Sequence, residues 1–165
     1  AQPGVRAKAA NLVGNLCRHS GHCYPELRTH GLAAALVKAC GDADPATRKF
    51  AAFAVGNAAF HSGELYPDLR PALPGLAAIV AHDSDPKARS NAAGALGNLV
   101  RNSPLLCDDV IKSGALHALA EAADAWRGAG SEAELQACKV ALFSLGSLCA
   151  HPACREAVRA TALPA

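Results

Sequence analysis

The stretch "NAAGALGNLVRNS", residues 91–103, places a Gly-Asn pair inside an alanine- and leucine-rich segment with helical spacing. Glycine in a helix interior costs about 1 kcal/mol relative to alanine, so it needs a reason to be there. The same frame stands upstream as "KAANLVGNLCRHS" (8–20) and "FAAFAVGNAAFHS" (50–62), and more loosely downstream as "VALFSLGSLCAHP" (140–152). Aligned on the glycine, Gly14, Gly56, Gly97 and Gly146 follow one another at 42, 41 and 49 residues. Arg6, Arg48 and Arg89 stand eight residues before the first three glycines, where the fourth copy has Cys138. Alanine recurs at Ala9, Ala10, Ala51, Ala52, Ala92, Ala93 and Ala141. Self-similarity at a fixed period of this length is the signature of a repeat array.

Between the glycines, "GDADPATR" (41–48) and "HDSDPKAR" (82–89) each put Asp and then Pro ahead of a helical stretch. Asp at the N-cap satisfies an orphan N–H and Pro at the first helical position lacks one, so the pair predicts helix starts near residues 45 and 86. These helices are expected to reach His61 and Asn102, and an equivalent first helix to run from Val5 to His19. A short segment follows ("GELYPDLR" or "PLLCDDVIKSG"), then a medium helix ("ALPGLAAIVAH" or "ALHALAEAADAW"). Three helices in about 42 residues is the armadillo arrangement, whereas two suggest HEAT. The expectation is an all-α, armadillo-type right-handed superhelical solenoid of about 3.5 repeats. Its units fall at about 1–42, 43–83, 84–126 and 135–165, and "RGAGSEAE" supplies a surface loop at 127–134.

Composition agrees with that class. The 165 residues are 51% hydrophobic and 18% charged, enough apolar material for a substantial core, and the 39 alanines with 4% aromatics favour closely packed helices over sheets. A net charge of +2, without any block of five or six like charges, does not suggest nucleic acid. No 18-residue apolar run occurs and "AQPGVRAKAA" lacks the apolar core of a signal peptide, so a soluble cytoplasmic chain without a membrane partner is expected. Seven cysteines, none in a Cys-x-x-Cys motif, read as reduced and mostly buried thiols. The cluster "CRHSGHC" has metal-ligating residue types in Cys17, His19, His22 and Cys23. Cys17 belongs to a buried helix face while His19 ends the helix, so the side chains diverge and neither metal nor cofactor is expected. No Ser-His-Asp set, paired carboxylates or phosphate loop stands out, which argues against an enzyme in this segment.

The glycines remove a side chain where another helix can come close. The asparagines beside them carry amides that packing alone does not require. In a stacked solenoid the third helices line one concave surface, so Asn15, Asn57 and Asn98 form a ladder able to bind a partner's backbone, or one that bonds the adjacent unit and holds the register. Arg18 and Arg101, three residues further on, are placed to pair with an acidic partner, or to sit as solvated helix ends. Trp126, at the edge of the loop, either closes the second helix of its unit or anchors an interface.

The "ALGNLVRNS" frame with its "SGAL" sequel resembles an armadillo repeat. In the importin type a tryptophan one turn before the asparagine grips basic peptides. The corresponding residues here are Asn11, Phe53, Gly94 and Phe143, so nuclear-signal binding is not expected. The blocks "RAKAANLVGNLCRHS", "TRKFAAFAVGNAAFHSGELY", "NAAGALGNLVRNS" and "KVALFSLGSLCAHPACR", in that order over nearly the whole chain, resemble the C-terminal armadillo region of Fused-type serine/threonine protein kinases. The resemblance implies a noncatalytic scaffold that docks protein partners on microtubule-based structures, in the ciliary central apparatus or the plant cytokinetic array. The glycine-rich loop, the His-Arg-Asp loop and the Asp-Phe-Gly motif of a kinase domain do not occur in this sequence. Neither end reads as a polar capping unit and the sequence has no methionine, so an interior stretch of a longer protein is expected, an expectation that favours the cilium.

Overall fold

The computed structural model describes residues 2–162, apart from the side chains of Trp126, Thr161 and Ala162; the two readings of Trp126 lie outside the described residues. Eleven α-helices follow one another with no strand among the described residues. They are α1 (Pro3–Cys17), α2 (Tyr24–Thr29), α3 (Leu32–Ala39), α4 (Pro45–Ala58), α5 (Tyr66–Leu69), α6 (Leu73–His82), α7 (Pro86–Asn98), α8 (Cys107–Lys112), α9 (Ala115–Asp124), α10 (Glu132–Leu148) and α11 (Pro152–Ala162). Short 3₁₀ turns at Arg70–Ala72, Pro104–Leu106 and Ala125–Gly128 join some of them.

Helices α1, α4, α7 and α10 carry the Gly-Asn frame and its looser fourth copy, and each packs on the next. Helices α3, α6 and α9 pack beside α4, α7 and α10, and α6 also packs on α9. Counted from the short helices, α2, α5, α8 and α11 are first helices, α3, α6 and α9 second, and α1, α4, α7 and α10 third, a count offset from the sequence periods, which begin at the long helix. Three helices per unit is therefore the observed plan.

Local chemistry sets the starts. The Asp44 carboxylate accepts the Thr47 N–H at 2.8 Å and Asp85 accepts that of Lys87 at 2.8 Å, with Pro45 and Pro86 next in line. In the expected loop, Ser131 caps α10 by accepting the Glu134 N–H at 3.2 Å, while Glu134 returns to the Gly130 N–H at 2.8 Å. This reciprocal box begins α10 at Glu132, inside the stretch read as loop. Helices α4 and α7 end at Ala58 and Asn98, short of His61 and Asn102. The chain tightens there: Phe60 N–H bonds Asn57 O at 3.2 Å and Arg101 N–H bonds Asn98 O at 3.1 Å, each three residues back. Between first and second helices, Gly31 (φ +65°) and Gly114 (φ +78°) adopt the left-handed conformation open to glycine. The middle unit has Arg70, Pro71 and Ala72 in a 3₁₀ turn instead.

The core runs the length of the stack. Alanines on one long helix face (Ala51, Ala52, Ala54, Ala58) and leucines from the shorter helices (Leu65, Leu69, Leu73, Leu76) are all buried. Small residues let helix axes come close and leucines fill the space behind them.

Candidate functional site

The two residues of the Gly-Asn pair serve different junctions. A Cβ on Gly14 would lie 2.6 Å from the Phe53 ring and 3.1 Å from Ala54 Cα; on Gly97 it would lie 2.9 Å from Ser144 Oγ and 3.2 Å from Ser144 Cα. Gly56 is looser, 3.4 Å from Ala95 Cα, and Gly146 has nothing within 4 Å. Each of the first three glycines thus admits the following third helix. The asparagine reaches the other way: Asn57 Nδ2–H donates to Gly14 O at 2.9 Å, and Asn98 Nδ2–H donates to Gly56 O at 3.0 Å. The close approach that glycine permits brings its carbonyl within reach of the next unit's amide. Asn15, on the first helix described, turns back to Asn11 O at 3.0 Å, and Ser147, in the fourth copy, to Phe143 O at 3.2 Å.

One amide hydrogen of Asn57 and of Asn98 is used in this way. The second hydrogen and Oδ1 have no hydrogen-bond partner among the described residues, and both side chains are half exposed. Arg18 and Arg101 are exposed one turn further along. The Arg101 guanidinium stacks on the Phe60 ring at 4.4 Å, and His61 meets that ring edge-on at 5.2 Å. The residues singled out from sequence therefore recur in register, Asn15, Asn57 and Asn98 beside the glycines of α1, α4 and α7, and Arg18 and Arg101 just past the ends of α1 and α7.

Two further ladders join the units. Five residues past each glycine, His61 Nε2 meets Arg18 O at 3.2 Å, Asn102 Nδ2–H donates to Phe60 O at 3.0 Å, and His151 Nε2 meets Val100 O at 2.7 Å. These residues read as helix breakers in the sequence; their recurrence at a fixed offset was the available signal. At the other end of the helices, Arg6 grips Asp42 with two bonds of 2.7 and 2.8 Å, and Arg48 Nε–H donates to Asp83 at 2.8 Å. The repeated arginine and the first Asp of "DADP" and "DSDP" are partners. Arg89 breaks the series, donating to Asp83 O at 3.2 Å, while Asp124 pairs with Arg127 at 2.9 Å.

The hydrogen bonds from Arg6, then the Asp44 N–H, hold the Asp42 carboxyl down at about 2. Its folded value lies below the usual value of about 3.9, so its contribution is complete above about pH 4 and is lost as pH falls through about 2. Asp42→Asn is expected to flatten the fall in melting temperature between those pH values. A thermal melt series in which the acid fall keeps its full size would assign the loss to other groups.

Three of the seven cysteines are buried, protonated thiols. Burial pushes the Cys17, Cys40 and Cys154 thiols up to about 12, so they stay protonated at neutral pH. In the "CRHSGHC" cluster Cys17 is fully buried, His19 is exposed, and Cys23 donates weakly to Leu16 O at 3.5 Å.

Residues 45–99 match the HEAT-like repeat family. Over 98% of its length the chain is 42% identical to the serine/threonine-protein kinase TIO of Arabidopsis thaliana, and it spans 13% of that relative's length. Among solved structures, a designed armadillo repeat protein in complex with the peptide (KR)4 superposes with a TM-score of 0.77 at 21% identity, covering 92% of this chain and 61% of that one. A computationally designed armadillo repeat protein for modular peptide recognition gives 0.77 at 23% identity, covering 94% and 64%. No described helix is long and apolar enough to cross a membrane. The chain is therefore a repeat region of the armadillo and HEAT-like class, related to the repeat region of a Fused-type serine/threonine protein kinase.

Proposed function

We propose that this stack is a protein-docking scaffold whose third-helix face carries its parent kinase to a microtubule-based assembly, first of all the ciliary central apparatus. The observation that carries the reading is the open stripe through Asn15, Asn57 and Asn98, with Arg18 and Arg101 at its border. The inter-unit bonds fix the Asn57 and Asn98 amides in place and leave each Oδ1 and one N–H unused. Fixed amides at helix-to-helix spacing suit a partner's backbone, since little side-chain entropy is lost on binding. The reading is supported by the designed armadillo proteins of like fold that are named with a peptide or with modular peptide recognition. Any kinase activity belongs to other parts of the parent protein.

The test is capture from a ciliary extract by the parent chain, with mass spectrometry of what is retained. Asn57→Ala combined with Asn98→Ala is expected to abolish recovery of axonemal microtubule-associated proteins. Each change also removes one inter-unit hydrogen bond, worth about 1 kcal/mol, so the melting temperature should fall by roughly 2–4 °C per substitution without loss of helicity. Recovery that survives the double variant would move docking to another face, as in a purely architectural subunit. Recovery from dividing-cell extracts alone would shift the assembly to a cell-division array.

A further inference from the structure

The two long edges of the third-helix layer differ in charge. At the N-terminal ends of these helices three cations are neutralised across unit junctions, Arg6 by Asp42, Arg48 by Asp83 and Lys49 by Asp85, while Lys8, Lys87 and Arg89 hold no carboxylate among the described residues. At the C-terminal ends no arginine is neutralised in this way. Of the ten arginines, six hold a carboxylate among the described residues: Arg6, Arg28, Arg48, Arg70, Arg127 and Arg159. Arg89 and Arg155 spend an N–H on the backbone oxygens of Asp83 and Cys149. That leaves Arg18 and Arg101, which have neither ion pair nor side-chain hydrogen bond among the described residues, both at the same edge.

Between them, in the same row of the intervening unit, stands Phe60, 39% exposed and stacked under Arg101. The row Arg18, Phe60, Arg101 lies just past the C-terminal ends of α1, α4 and α7, and its backbone is tied together by His61 on Arg18 O and Asn102 on Phe60 O. A fixed row of cation, aromatic and cation with no internal counter-ion is complementary to a segment carrying anion, apolar side chain and anion.

We propose that this row is a docking strip for an extended acidic segment of a protein partner, with a carboxylate at Arg18, an apolar side chain against Phe60 and a second carboxylate at Arg101. The proposal rests on the docking reading above and gives the partner a sequence pattern. Packed helices lie about 8–10 Å apart, so residues two helices apart are separated by about 16–20 Å. A segment in the extended polyproline II conformation rises about 3.1 Å per residue with three residues per turn, so positions i, i+3 and i+6 share one face and span about 19 Å. The partner therefore carries two acidic residues six positions apart, with an apolar residue midway.

The probe is a dye-labelled peptide containing Glu-Ser-Ser-Leu-Ser-Ser-Glu between Gly-Ser flanks, titrated with the full chain by fluorescence anisotropy. Saturable binding is expected, weakened about tenfold or more by Arg18→Glu with Arg101→Glu, and weakened as salt rises from about 50 to 200 mM. Because both arginines are exposed and without ion pairs, the double variant should keep the native fold, its melt lowered by no more than a few degrees through the lost stacking of Arg101 on Phe60. Arg18→Gln with Arg101→Gln should give an intermediate loss, and Phe60→Ala a loss that salt does not change. No binding, binding unchanged in the double Glu variant, or equal binding of the same peptide with Lys in place of Glu would overturn the strip. Failure of the peptide alongside Asn-dependent capture of ciliary proteins would refute the strip alone; failure of both would refute the docking reading as well.

Discussion

Gly97→Leu is expected to unfold at a urea concentration far below the wild type, with a stability loss of about 3 kcal/mol or more. Even a Cβ at that position meets Ser144 Oγ, Cβ and Cα at 2.9, 3.0 and 3.2 Å, and the last of these is backbone that moves only with the whole of α10. Accommodating a leucine requires α7 and α10 to separate, exposing apolar surface along their contact. At Gly146, where nothing lies within 4 Å, Ala should stabilise by up to about 1 kcal/mol through helix propensity alone. Equal urea midpoints for the two variants would show that close helix approach is not what the glycine supplies.

The second contrast concerns two buried tyrosines at equivalent places in successive units. Tyr66 Oη donates to Asn98 O at 2.6 Å and accepts the Asn102 N–H at 3.1 Å, joining its short helix to the end of α7. Tyr24 is as deeply buried, and its hydroxyl makes no hydrogen bond of good geometry among the described residues, only a weak approach to the His61 backbone. Tyr66→Phe leaves a carbonyl and an N–H without that partner and should cost about 1–3 kcal/mol, whereas Tyr24→Phe removes a poorly satisfied polar atom and should be neutral or stabilising. Chemical denaturation of the two variants decides it: equal losses would mean that the hydroxyl bonds of Tyr66 contribute nothing beyond burial.

The array was legible in the sequence because the Gly-Asn frame and the Asp-Pro starts have local causes that recur at one period. The start of α10 was missed because the Ser131–Glu134 box lies among residues whose Gly and Ser content reads as loop. Helix ends were read too long, since the tightened turns after Asn57 and Asn98 keep the composition of the helix. The asparagine had two open readings, and the structure shows why sequence alone left them so: one N–H of each amide bonds the preceding unit while Oδ1 stays unused. The Arg6–Asp42 and Arg48–Asp83 pairs lay in plain view as two repeating positions. Pairing them requires knowing that one unit's arginine lies beside the turn entering the next.

The division of labour within Gly-Asn also bears on how such a chain changes length. Helix α4, with a full-frame neighbour on each side, offers a carbonyl and a bare backbone to its successor and an amide to its predecessor. A duplicated unit therefore brings both halves of its own joints, and fits between old neighbours without any compensating mutation in them. Growth or shrinkage by whole units is cheap in such an architecture, while a change of a few residues within a unit misaligns amide, carbonyl and arginine rungs together.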